Sequence, residues 1–229
     1  MDGSGTIDPD GHIKVGALKF PLDPDYLTPK IRKKLRLGRY DQAFLAAALE
    51  VVQPGDTVLE LGSGLGFVTG MIAKQRDVAM IHGYDGNAAV VRYAEAMLAT
   101  NGIQNVQLTN AVLGPRKSTV PFLLQSYAPL SSLLPFDGRE STSVTVDMIN
   151  AKGAVKDIKP TVILCNIEGG EADVFKGVPL PTVRHTLIKL NPDRIGSAGI
   201  ARVFEAMAAA NLVYDPSISA GSLVGFVAK

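Results

Sequence analysis

Glu60, Gly62, Gly64 and Gly66 stand at alternate positions at the end of an apolar run. A chain that turns sharply out of a strand needs glycine where φ is unusual or where backbone must lie against a ligand. The spacing narrows the choice of ligand. A dinucleotide fingerprint, G-x-G-x-x-G, would put its third glycine where Phe67 stands. Here the third glycine is Gly66, and Ser63 and Phe67 complete the loop. Nineteen residues after Gly66 comes Asp85, closing a second apolar run and followed by Gly86 and Asn87. An acid at such a strand end can accept hydrogen bonds from both hydroxyls of a ribose. It can equally favour the start of the next helix. Beside the glycine loop, the ribose role is the preferred reading.

Two further loops carry polar groups at strand ends. Asn110 and Ala111 offer a polar edge and a small apolar face to a base, although Asn110 alone reads as a turn residue. Cys165-Asn166-Ile167-Glu168-Gly169-Gly170-Glu171 ends a buried run in an acidic cluster. Charges near a cleft are costly unless paired or used. Glu171 has a structural use at the start of its helix. Glu168 has none, so it is the candidate base or substrate-orienting carboxylate. His185 is a second candidate base, ahead of His12 and His82. With three histidines and one cysteine there is no zinc pattern and no metal residue is predicted, while a carboxylate-bound divalent cation stays an open alternative.

The elements that must position these loops alternate along the chain. Hydrophobic periodicity predicts a hairpin or strand over 12–20 and a helix over 40–52, with Phe44, Leu45, Ala48, Leu49 and Val52 on one face. Strands are expected at 57–61, 78–84, 106–108, 119–124, 143–146, 161–167, 186–190 and 223–228. Helices are expected at 66–74, from Asn87 to Asn101-Gly102, at 170–176 and at 199–211. Residues 125–135 read as a long loop of the kind that covers a site. The first ten residues read as a frayed end. Residues 1–39 form an N-terminal extension, with a basic stretch at Lys30, Arg32, Lys33, Lys34, Arg36 and Arg39, and residues 40–229 form the main domain. Alternating strands and helices with strands apolar on both faces imply an α/β fold with a mostly parallel sheet. Ligands of such sheets lie beyond the carboxyl ends of the strands.

Composition bounds the partners. The chain has 229 residues, 46% of them apolar, and a formal net charge of +1. That balance argues against an extended nucleic-acid surface. One cysteine allows no internal disulfide and suits a reducing compartment. The polar, acidic start at Met1 is unlike a signal peptide, and no apolar run reaches the length of a membrane span. A cytoplasmic protein without membrane contact is expected. A homodimer is compatible with the sequence.

The E-x-G-x-G-x-G loop, Glu60 to Gly66, looks like the first motif of S-adenosylmethionine (SAM) methyltransferases. More specifically, the chain from about Tyr40 onward resembles the FkbM-type methyltransferases of the class I superfamily. The resemblance rests on Pro54-Gly55-Asp56, Asn101-Gly102, Asn105-Val106, Asn110-Ala111-Val112-Leu113-Gly114 and Ile167-Glu168-Gly169-Gly170-Glu171. The last segment is similar to the family's D-v-E-G-a-E signature, with Asn166 in place of its aspartate. The resemblance implies a Rossmann-like seven-stranded sheet with helices on both faces and the last strand antiparallel. It implies SAM as cofactor and S-adenosylhomocysteine (SAH) as product. Cofactor contacts would come from Glu60, Gly62, Ser63, Gly64, Gly66, Phe67, Asp85, Gly86, Asn87, Asn110 and Ala111, and catalytic ones from Glu168, Asn166 and His185. The acceptor would be a small hydroxylated molecule such as a sugar or natural product. The alternatives are an RNA or other phosphorylated-polymer methyltransferase using the basic stretch, and a SAM-binding protein without transfer activity, suggested by Asn166 and Asn191.

Overall fold

The computed structural model describes residues 8–9, 11–135, 138 and 140–229. Most of the expected frayed end lies outside the described residues. Two short strands, β1 (His12–Val15) and β2 (Leu18–Pro21), form an antiparallel hairpin. It is followed by α1 (Pro29–Arg36), which buries Ile31 and Leu35 and leaves most of its cations exposed. Thr28 caps α1, accepting from the Ile31 amide.

Helix α2 (Gln42–Val51) leads into β3 (Thr57–Leu61), α3 (Phe67–Gln75), β4 (Met80–Asp85), α4 (Ala88–Thr100) and β5 (Val106–Asn110). Asn87 caps α4, its Oδ1 accepting from the Ala89 and Val90 amides at 3.1 and 3.3 Å. The buried face of α4 carries Val90, Val91, Ala94, Met97 and Leu98, as its periodicity predicts. Next come β6 (Val112–Gly114), β7 (Ser118–Leu124) and β8 (Thr142–Asn150), which pair as a separate three-stranded sheet. The chain finishes with α5 (Ala151–Ile158), β9 (Val162–Cys165), α6 (Glu171–Val174), β10 (His185–Lys189), α7 (Pro192–Ala209), β11 (Leu212–Ala220) and β12 (Leu223–Ala228).

The main sheet has the order β11-β12-β10-β9-β3-β4-β5, with β12 antiparallel to both of its neighbours. The five strands from β10 to β5 run parallel. Every residue of β9 is buried, as a central strand covered on both faces requires. The described part of the extension shares this core. Phe20, Leu27, Ile31 and Leu35 pack in one cluster with Phe44, Phe67 and Met97. The Lys19 amide donates to Asn101 Oδ1, and the Tyr93 hydroxyl donates to the Pro21 carbonyl.

Several boundaries differ from those expected, each for a local reason. β8 covers nine residues instead of 143–146, because its outward positions are polar and its pairing with β7 carries it. β11 supplies the seventh strand. Its Asp215-Pro216 breaks the apolar alternation, which an edge strand tolerates. α7 starts at Pro192 instead of 199, with a non-helical Gly196 at φ 61 inside it. α6 is a single turn, and α5 and β6 have too few apolar residues to signal themselves.

Candidate active site

The sheet order reverses beside β3. The chain runs outward through β4 and β5, then returns to place β9 on the other flank. Parallel sheets bind ligands at such a switch point, beyond the carboxyl ends. Register brings the strand ends level, with Leu61 beside Tyr84 and Cys165, and Asp85 beside Asn110. A cavity opens there, enclosing about 1070 Å³ with its mouth included.

The crevice is narrow at its base. Gly62 has φ +82, and a Cβ there would lie 2.0 Å from the Asn166 carbonyl oxygen. Only glycine allows both that conformation and that approach. Gly64, at φ +51, has open space where a Cβ would be, and its amide donates to Asp85 Oδ2 at 3.0 Å. The other Asp85 oxygen accepts from the Asn87 amide at 2.8 Å. Burial raises the Asp85 pKa above the usual range, while these two amides pull it down. Glu60 is also buried and accepts from the Thr69 hydroxyl in the first turn of α3. Burial, helped by the negative charges of Asp41 and Asp85, pushes its carboxyl up to about 7 against the pull of Thr69.

On the far side, Glu168 takes a left-handed φ of 52, uncommon for a residue with a side chain. Burial raises its pKa, and Lys189 and Arg194 oppose that rise. Glu171 holds this loop in shape. Its carboxylate accepts from the Gly169 amide (2.7 Å), the Asn191 amide (2.7 Å) and Asn191 Nδ2 (3.2 Å). Asn191 is therefore a bracing residue between β10 and α7. Two buried polar atoms in the cavity wall, Ser63 Oγ and Asn166 Oδ1, have no partner among the described residues.

Of the predicted site residues, Glu60, Gly62, Ser63, Gly64, Phe67, Asp85, Gly86, Ala111, Asn166 and Glu168 line the cavity. Gly66, Asn87 and Asn110 do not. Gly66 packs against Met97 and Ala94, Asn87 caps α4, and Asn110 Nδ2 donates to the Asp85 carbonyl. His185 is a correction. It begins β10 beside Val162, at the opposite edge of the sheet, with Nδ1 3.0 Å from Arg184. Burial, then Arg184, lowers its pKa. Sequence reasoning gave no site role to Tyr40, Asp41, Phe44 and Phe122, all in the cavity wall. Asp41 sits just before α2 and reads as an ordinary helix cap, yet its side chain caps nothing. The 125–135 loop does reach the cavity, through Ala128, Pro129, Ser131 and Leu133.

Among the described residues the cavity wall contains four acids, Asp41, Glu60, Asp85 and Glu168, and no Lys, Arg or His. Asp41 is ion-paired with Lys189 at 3.7 Å and the Glu60 carboxyl is pushed up to about 7, so the wall is acidic without a full charge on each acid. It suits a cationic ligand and, among the described residues, offers no lining cation to a pyrophosphate. Among the described residues no His, Cys, Asp or Glu group could hold a metal ion, and no helix is long and apolar enough to cross a membrane.

Residues 39–119 match the model of the methyltransferase small domain. The 23S rRNA (uracil(1939)-C(5))-methyltransferase RlmD of Hahella chejuensis is 34% identical over 121 residues, a match covering 50% of this chain and 27% of that protein. The chain thus spans about a quarter of the length of the curated relative it matches. Magnesium protoporphyrin IX methyltransferase (ChlM) from Synechocystis PCC 6803, solved with bound SAM, superposes with a TM-score of 0.53 at 10% identity, covering 88% of this chain and 85% of that one. A TehB-like SAM-dependent methyltransferase from Corynebacterium glutamicum gives 0.50 at 12% identity, covering 87% and 95%. The architecture of this chain, with its seven-stranded sheet and antiparallel last strand, is the Rossmann-like methyltransferase fold.

Proposed function

We propose that this chain is a SAM-dependent methyltransferase of the FkbM type, acting on a hydroxyl of a small molecule in the cytoplasm. The observation that carries the reading is the acid-lined cavity against the glycine loop, with no lining cation among the described residues. The residues present fit the cofactor. Its positive charge is complemented by Glu60, Asp85 and Glu168, Asp41 being paired with Lys189. Ser63 Oγ and Asn166 Oδ1 are buried polar atoms in need of a partner, and Gly64 leaves space for a close approach. The match of residues 39–119 to a methyltransferase domain supports the same reading.

When bound, SAM supplies an electrophilic methyl group on its sulfonium. The chain's own work is to hold the acceptor beside it, exclude water and take up a proton. Asp85, at the end of β4, would accept from the ribose hydroxyls with the lone pairs not taken by the Gly64 and Asn87 amides. Ala111, Val90 and Phe122 provide apolar wall for the base. Glu168 receives the acceptor's hydroxyl proton, and its burial favours that role by making it more basic than an exposed carboxylate.

The matched rRNA enzyme suggests a nucleic-acid acceptor instead. A uracil C5 carries no lone pair, so its methylation calls for a nucleophile added to the ring. The chain's single cysteine, Cys165, is fully buried, and burial, then Glu171, pushes its thiol pKa well up. Cys165 cannot serve that role, and a hydroxyl acceptor fits the cavity better.

Calorimetric titration with SAH tests the cofactor site. Wild type should bind saturably and Asp85→Ala should not; a folded wild type that binds nothing would end the methyltransferase reading. Glu168→Gln should keep SAH affinity and lose about 100-fold or more in turnover. Full turnover in that variant would remove Glu168 as the base.

A further inference from the structure

Two ammonium groups converge on one aromatic ring beside the cavity. Lys30 Nζ lies 4.8 Å and Lys34 Nζ 5.8 Å from the centroid of Tyr127. The lysines are one turn apart on α1, a spacing at which like charges repel. Residues 30–39 hold six Lys and Arg and no acid. Among the described residues none of the six is ion-paired. The ring face of Tyr127 offsets part of the repulsion. An anion would offset more.

The position of this pair matters. Tyr127 directly precedes Ala128 and Pro129, which line the cavity, and it packs against the cluster that contains Tyr40, another lining residue. The charge therefore changes sign between the acid-lined interior and this rim.

We infer that the methyl acceptor carries a phosphate monoester, gripped at the rim by Lys30 and Lys34. This names the substrate class of the proposed methyltransferase site and rests on that reading. The interior offers the phosphate acids and no lining cation among the described residues, while the two rim ammoniums attract it, so the acceptor enters with its neutral hydroxyl end toward Glu168. A dianionic phosphate matches a two-ammonium pair in charge. An extended polyanion fits less well: the whole chain carries only +1, so outside this stretch acids outnumber cations and no second basic run continues it.

The test uses the SAH-saturated chain with inorganic phosphate and glucose 6-phosphate as probes, followed by calorimetry. Wild type should bind both saturably. Lys30→Gln/Lys34→Gln should weaken both by at least about tenfold. Lys30→Arg/Lys34→Arg should restore most of the affinity, and SAH affinity should be the same in all three. Neither substitution touches the core, so thermal stability without phosphate should not fall. Absent phosphate binding by wild type, or equal binding by the glutamine pair, would overturn the inference. So would tight, steeply salt-dependent binding of a short oligouridylate that phosphate does not displace, which would identify a polyanion surface. Loss of SAH binding with phosphate binding intact would strike the methyltransferase reading instead, so the two failures are distinct.

Discussion

Replacing Glu60 with Gln should flatten the dependence of stability on pH. In the folded chain the Glu60 carboxyl is pushed from its ordinary 4.5 to about 7, chiefly by burial, with Asp41 and Asp85 adding and Thr69 opposing. Between those two values the folded state keeps a proton that the unfolded state has released. Stability must therefore fall as pH rises through this window, and the penalty is complete above about pH 7. At about 1.4 kcal/mol per tenfold, the gap corresponds to about 3 kcal/mol. Gln keeps an oxygen for the Thr69 hydroxyl but cannot ionise. Urea unfolding followed by circular dichroism, from pH 5 to pH 8, should show wild type losing about 2.5 kcal/mol relative to Glu60→Gln, the first part of the penalty being already present at pH 5. Parallel curves for the two proteins would refute the argument, because they would mean that Glu60 titrates as an exposed acid. A cationic ligand in the cavity favours the carboxylate, so SAM binding near pH 6.5 should release a proton, and SAH, lacking the sulfonium, should release fewer.

Two other perturbations follow from the geometry. Gly62→Ala puts a methyl 2.0 Å from the Asn166 carbonyl at a positive φ, and should cost at least about 3 kcal/mol in chemical denaturation; a loss under about 1 kcal/mol would mean that the β3 and β9 loops can separate cheaply. Glu171→Ala leaves the Gly169 amide, the Asn191 amide and Asn191 Nδ2 without their acceptor, and should cost about 3–5 kcal/mol. Amide hydrogen exchange at Gly169 should speed up in that variant, and unchanged protection would show that the loop is held by something else.

Local signals along the chain were enough to set the frame of this protein. The run at 57–61, the glycines after it and Asp85 after the next strand mark the carboxyl edge of a parallel sheet, where the cavity opens, because strand periodicity and glycine spacing are local properties. Asn87 as a cap and the buried face of α4 were legible for the same reason. Local signals were weaker where pairing, not composition, builds the element. β11, with Asp215-Pro216 inside it, is held as a strand by β12.

Roles within the site needed three dimensions. Glu168 and Glu171 are three residues apart in one acidic cluster, yet one enters the cavity and the other is bonded to residues from two loops. His185 has the chemistry of a base, but its strand direction puts it at the wrong edge of the sheet. Asp41 and Phe122 carry no motif and reach the cavity wall only because tertiary packing brings the start of α2 and β7 to it. Which side chains share a cavity depends on contacts between residues far apart in the chain. Those contacts are also what place Lys30 and Lys34 beside Tyr127, where a charge run becomes a paired anion handle.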